Sequence, residues 1–206
     1  MKPTSLDRSS EQTTKQHLSI LIVDDESSVL DMLTVILNSF GHEVIARASK
    51  GADAIRMARE HQPDLIILDV GMPDMDGITV AEQILAEQSV PIIIETGLTE
   101  EELVERASRL DIQSFLIKPF GKEQLQATIR LAMSRHRESQ AAKNTIAQLT
   151  GELEATRTIN NAVELLIQKF GIDRAEAMEK LEAAAKARSC SVTDAAKAIS
   201  ATLKQS

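Results

Sequence analysis

Two short apolar runs of this chain end in carboxylates. Ile20-Leu21-Ile22-Val23 runs into Asp24-Asp25-Glu26, and Leu65-Ile66-Ile67-Leu68 runs into Asp69, with the turn sequence Gly71-Met72-Pro73-Asp74-Met75-Asp76-Gly77 directly after it. Runs this short, apolar throughout and rich in β-branched residues, read as strands buried on both faces, the habit of parallel sheets covered by helices. Five short, mainly apolar runs occur, at 18–23, 43–48, 64–69, 91–96 and 113–117, and helical periodicity occupies 27–39, 51–61, 77–88, 100–109 and the chain from 122 onward. Alternation of this kind predicts an α/β fold, a five-stranded doubly wound parallel sheet with helices on both faces.

Open parallel sheets bind ligands outside the carboxyl ends of their strands. Asp24, Asp25 and Asp69 stand at such ends. Carboxylates crowded there repel one another and call for a hard cation, which oxygen donors match best with Mg²⁺. A carboxylate beside such an ion is a candidate phosphoryl acceptor. The fourth strand ends in Thr96 and the fifth in Lys118-Pro119, which brings a hydroxyl and an ammonium to the same edge. A phosphoryl group on Asp69 would add roughly −1.5 to −2 of charge, to be offset by Mg²⁺ and Lys118 and sensed at Thr96.

This ordered set resembles the receiver domain of two-component response regulators. The matching residues are the Asp24-Asp25 pair, the Asp69-x-x-Met72-Pro73-x-x-Asp76-Gly77 motif, Thr96, Phe115 and Lys118-Pro119, spread over residues 18–134. The resemblance implies that Asp69 accepts phosphate from a sensor histidine kinase. It also implies that Asp25, Asp69 and the backbone carbonyl of Gly71 bind Mg²⁺, that Asp24 supports the ion through water, and that Thr96 and Phe115 form the switch pair. The peptide bond before Pro119 is expected to be cis. Two features depart from the family: Glu95 replaces the apolar residue before the switch Thr, and Asp111-Ile112-Gln113-Ser114 replaces a Gly-Ala-Asp-containing turn. Both are assigned to the output face.

After Phe120-Gly121 a helical pattern runs without Pro to Gly171. Within it Ala142, Ile146, Leu149, Leu153, Thr156, Asn160, Val163, Ile167 and Phe170 are spaced alternately four and three residues apart. That is a heptad seam, the spacing of a coiled-coil helix that pairs with another, and it predicts a homodimer through 142–170 with Asn160 fixing the register. The alternative is one amphipathic helix lying on its own domain. Asp173 with Glu176, and Ser191 with Asp194, have capping-box spacing before two shorter helices, and Gly171 closes the long one.

These three helices make a small all-α module, with the coiled-coil helix, over 135–206. Its core, about 149–203, is similar to the ANTAR domain, an RNA-binding antiterminator module found behind receiver domains. The residues that carry the likeness run from Leu153 to Leu166, with Ala175-Glu176-Ala177, Leu181 and Val192-Thr193-Asp194-Ala195-Ala196 beyond. The resemblance implies binding of an RNA hairpin and transcription antitermination. Arg157, Lys169, Arg174, Lys186 and Arg188 are the candidate RNA contacts. Where the family usually carries Ala-Lys-Gly, this chain has Ala162-Val163-Glu164, a base lost and an acid gained.

Rival outputs are a helical dimerisation module that docks a protein without RNA, and a DNA-reading helix-turn-helix. The latter is disfavoured because its second helix would offer only Lys197 and Lys204 on a largely Ala surface. No nucleophile, base or metal constellation follows residue 121, so an enzymatic effector is not expected. Charge divides the chain: residues 1–120 carry 10 Lys and Arg against 21 Asp and Glu, and residues 121–206 carry 13 against 10. Trp and Tyr are absent, so base stacking on large aromatic platforms is excluded. Residues 1–17 are polar and read as a disordered tail without a secretory signal. The lone Cys190 and the lack of any run near the ~20 apolar residues of a membrane span place the protein in the cytoplasm.

Overall fold

The strands form at the apolar runs, each of which stops at a turn or a loop that carries charged, Gly or Pro residues. The computed structural model describes residues 17–97, 110, 112 and 114–204. Residues 1–16 of the expected tail, the helix expected over 100–109, and Asp111 and Gln113 lie outside the described residues. In chain order the elements are β1 (Ser19–Val23), α1 (Ser27–Ser39), β2 (Glu43–Ala48), α2 (Gly51–His61), β3 (Leu65–Asp69), α3 (Gly77–Glu87), β4 (Ile92–Thr96), β5 (Ser114–Ile117), α4 (Lys122–Phe170), α5 (Arg174–Ala187) and α6 (Val192–Lys204).

All pairings in the sheet are parallel and its order is β2-β1-β3-β4-β5. Strand order reverses between β1 and β3, so a crevice opens at their carboxyl ends, where Asp24 and Asp69 lie. Alternation sends residues of each strand to opposite faces. Leu21, Val23, Ile66, Leu68, Ile92 and Ile94 pack against α2 and α3 through Ala54, Ala58, Ile78 and Ile84. Ile20, Ile22, Leu65, Ile67 and Ile93 pack on the other face against Leu30, Leu33 and Leu37 of α1 and Leu125, Ile129 and Ala132 of α4. With both faces covered, the central strands β1 and β3 are apolar along almost their whole length.

Two compact units divide within α4, between Glu138 and Ser139. In the second unit Ala162, Val163 and Leu166 of α4 meet Ala177, Leu181 and Ala185 of α5 and Ala195 and Ala196 of α6. Alanine at so many of these positions lets the helices approach closely. Both caps form: the Asp173 carboxylate accepts the Glu176 N–H at 2.9 Å, and Ser191 Oγ accepts the Asp194 N–H at 3.1 Å while donating to the Asp194 carboxylate at 2.6 Å. Gly171 adopts a left-handed φ of 63°, and its N–H bonds the Ile167 carbonyl at 2.9 Å, ending α4.

The heptad seam is used in two ways. Ile146, Leu149 and Leu153 are 64%, 59% and 52% exposed. Val163 and Ile167 instead pack into this unit's own core. Asn160, expected to fix register, accepts a hydrogen bond from Arg174 Nη2 at 2.6 Å. Sequence period shows that a helix has a partner, not which chain supplies it.

Candidate functional site

β1, β3, β4 and β5 deliver their last residues to one edge of the sheet. There Lys118 Nζ donates to Asp24 Oδ2 and to Asp69 Oδ1, each at 2.7 Å. Asp24 is 1% exposed, and its other oxygen accepts the Glu26 N–H at 2.8 Å. Asp69 is 7% exposed, and its Oδ2 accepts the Gly71 N–H at 2.8 Å. Both carboxylates are therefore held by N–H donors as well as by charge. The Lys118–Pro119 peptide bond is cis. Burial works against the Lys118 ammonium, but its bonds to Asp24 and Asp69 prevail and hold its pKa above the ordinary lysine value.

The loop after β3 is shaped by glycine and aspartate. A Cβ on Gly71 would sit 3.3 Å from Asp69 Oδ2, so the flank of the acceptor is kept clear by the absence of a side chain. A Cβ on Gly77 would overlap the Asp69 carbonyl oxygen. Asp76 caps α3 by accepting the Ile78 N–H at 3.1 Å, and Asp74 accepts the Gly51 N–H at 3.0 Å at the start of α2. The Asp-x-x-Met-Pro-x-x-Asp-Gly motif thus works as a scaffold around Asp69.

Of the other residues expected at this site, Asp25 is exposed beside buried Asp24 and Thr96 is buried at the end of β4. Phe115 is half-buried against the core under α2 and α3. Register sets Thr96 opposite Ile117 and Ile94 opposite Phe115, so the two switch candidates sit on adjacent strands.

Glu95 is the residue whose placement differs from expectation. Instead of standing on the output face, it is 0% exposed and its Oε2 lies 3.6 Å from Lys118 Nζ. Neither carboxylate oxygen has a hydrogen-bond partner among the described residues. Burial, then the carboxylates of Asp24 and Asp69, push its pKa up to about 7 against the partial relief from Lys118. The signal was in the register: Glu95 is the pairing partner of Asp69 across β3 and β4, and paired residues share a face.

Among the described residues three carboxylates thus lie within 3.6 Å of one ammonium, and exposed Asp25 follows Asp24 in the chain. An oxygen-only donor set with excess negative charge and a side-chain-free flank at Gly71 fits a hard divalent cation. Among the described residues no three Asp, Glu, His or Cys side chains converge closely enough to hold a metal unaided. Such an ion would need backbone carbonyl or water ligands beside the carboxylates, as Mg²⁺ ordinarily keeps.

In the second unit Arg157, Lys169, Arg174, Lys186 and Arg188 are all exposed. Arg174 is engaged with Asn160, and Arg188 borders a groove of about 240 Å³ with Leu166, Phe170 and Leu203. Val163, at the departure from the Ala-Lys-Gly pattern, is 1% exposed in the core, while Glu164 faces outward. Among the described residues no helix is long and apolar enough to cross a membrane.

Comparison with known proteins agrees with this geometry. A family model described as the response regulator receiver domain matches residues 20–130, and one described as the ANTAR domain matches 147–199. The transcriptional regulatory protein PdtaR of Mycobacterium tuberculosis is 34% identical over 184 residues, covering 89% of this chain and 90% of that protein. Among solved structures, the signal receiver domain of a modulated diguanylate cyclase from Desulfovibrio desulfuricans is 27% identical with a TM-score of 0.56, covering 60% of this chain and 99% of that one. CheY in the CheX-CheY-BeF3-Mg complex from Borrelia burgdorferi is similar at 30% identity and TM-score 0.52, covering 54% of this chain and 85% of that one.

Proposed function

We propose, from the premise that this chain belongs to the response regulator family and carries a receiver domain followed by an ANTAR domain, that it is a phosphorylation-controlled regulator of transcription antitermination. The family is regulatory rather than catalytic. In this reading residues 18–134 are the input and 135–206 the output, and the protein works in the cytoplasm. The single observation that carries the input is Lys118 Nζ bridging Asp24 and Asp69 at 2.7 Å each.

A carboxylate oxygen of Asp69 attacks the phosphorus of a phosphohistidine on a sensor kinase. The P–O bond forms as the P–N bond breaks, and the imidazole leaves as the kinase histidine. Lys118 follows the charge onto the phosphoryl oxygens, and Gly71 leaves room for them. Mg²⁺, held by Asp25, Asp69 and the Gly71 carbonyl with Asp24 behind, would supply charge neutralisation; the beryllofluoride and magnesium named for the Borrelia CheY complex support that assignment. Thr96 then bonds the new oxygens and Phe115 turns inward. Shifting this equilibrium favours pairing of two chains through Ile146, Leu149 and Leu153, and the paired modules bind an RNA hairpin. Similarity to PdtaR over most of both chains supports the joined architecture.

A second output is favoured by one observation. Val163 is buried and Glu164 exposed where a basic pair member would meet RNA, which suits a module that dimerises and docks a protein. Crosslinking the full chain to total RNA with and without a small phosphodonor separates the two. Recovery of hairpins upstream of terminators, dependent on Asp69, supports antitermination; no recovered RNA despite labelling of Asp69 supports the protein partner.

A further inference from the structure

Lys118 is asked to neutralise more charge than it carries. Its ammonium has three N–H groups; two are committed at 2.7 Å to Asp24 and Asp69, and Glu95 waits at 3.6 Å with no hydrogen bond to either oxygen. Asp69 and Glu95 are also direct register partners on neighbouring strands, so like charges stand opposite one another. Solvent gives no relief, since Glu95 is 0% exposed. Any phosphoryl group arriving on Asp69 must draw on the same ammonium and adds negative charge to the face that Glu95 already occupies.

We infer that Glu95 is a positioning residue of the acceptor pocket: its buried carboxylate competes with a phosphoryl group on Asp69 for the Lys118 ammonium and thereby limits how firmly the pocket holds that group. The inference rests on Asp69 being the acceptor. Moving Lys118 toward the phosphoryl oxygens leaves Glu95 buried beside more negative charge and further from the ammonium at 3.6 Å, which is costly. The same carboxylate assists a divalent cation, because it deepens the negative potential of the site. Charge at Glu95 thus acts in opposite directions on an anion and on a cation, and a purely structural role would not.

The test is calorimetric and uses the full chain at pH 8. Beryllofluoride at saturating Mg²⁺ is titrated into wild type, E95Q, E95D and D69N, and Mg²⁺ alone into the first three. E95Q is expected to bind beryllofluoride roughly tenfold more tightly and Mg²⁺ several-fold more weakly, the size of one charge a few ångströms away in a partly wetted site. E95D keeps the charge and is expected near wild type. E95Q affinities that are unchanged, or that shift together in one direction, overturn the inference alone. Wild type that fails to bind beryllofluoride, or binds it as well as D69N does, overturns the acceptor reading and this inference with it.

Discussion

Asp74 caps a helix to which it does not belong. Its carboxylate accepts the N–H of Gly51 at 3.0 Å at the first residue of α2, whose own N-cap residue, Lys50, provides no side-chain cap. The loop that follows Asp69 is thereby tied to a neighbouring helix. Asp74→Ala is expected to lower stability by about 1 kcal/mol, as loss of a cap does, and to slow labelling of Asp69 by a small phosphodonor. Thermal unfolding and a labelling time course check both. A variant that melts like wild type would show that the cap contributes nothing.

Glu95 makes stability depend on pH with a definite sign. Its pKa is about 7 in the fold against an ordinary 4.5, so the folded chain binds the proton more tightly than the unfolded chain. Its favourable contribution is full below about 4.5 and is lost as pH rises through 7. Glu95→Gln removes that loss. The two chains should melt at similar temperatures near pH 5, and the variant should gain progressively toward pH 8, reaching roughly 2 kcal/mol or several degrees. A melting difference that does not change with pH would count against the buried carboxylate.

Lys118→Met removes the cation that, among the described residues, pairs with Asp24, Asp69 and Glu95, while keeping its length and packing. Breaking a buried pair leaves uncompensated charge, and because the lysine side chain is 26% exposed, about 2–4 kcal/mol is expected at pH 8. The deficit should shrink at pH 5, where Glu95 carries a proton. Denaturant midpoints at the two pH values measure it. An equal deficit at both would mean that packing, not charge, sets the cost.

Gly77→Ala tests the loop from the other side. The new methyl would overlap the Asp69 carbonyl and stand 2.9 Å from Val70 Cα, backbone atoms that cannot swing aside. A loss of roughly 2 kcal/mol or more is expected. Unfolding by urea checks it, with a shift under about 0.5 kcal/mol as the contrary result.

Strand bounds were legible to within a residue because each apolar run stops at a charge or a turn residue, and Asp24, Asp69 and Lys118 were legible because parallel strands bring their carboxyl ends to one edge. Glu95 was not. A polar residue at the end of an apolar run reads as exposed, and only the pairing with Asp69 shows that it turns inward. Val163 and Ile167 were misassigned for a different reason. Their heptad spacing is real, but α5 and α6 of the same chain satisfy it first.

What remains of the seam yields the last expectation. Ile146, Leu149 and Leu153 lie on the part of α4 that precedes the three-helix core, and all three are more than half exposed. Leu149→Glu with Leu153→Glu should leave each unit's melting temperature nearly unchanged, since neither side chain belongs to a described core. In a paired coiled coil the same changes place like charges against each other along the seam. Phosphodonor-treated wild type should therefore sediment as a dimer and the double variant as a monomer, with equal labelling of Asp69 in both. If the double variant still dimerises on phosphorylation, the pairing surface lies elsewhere.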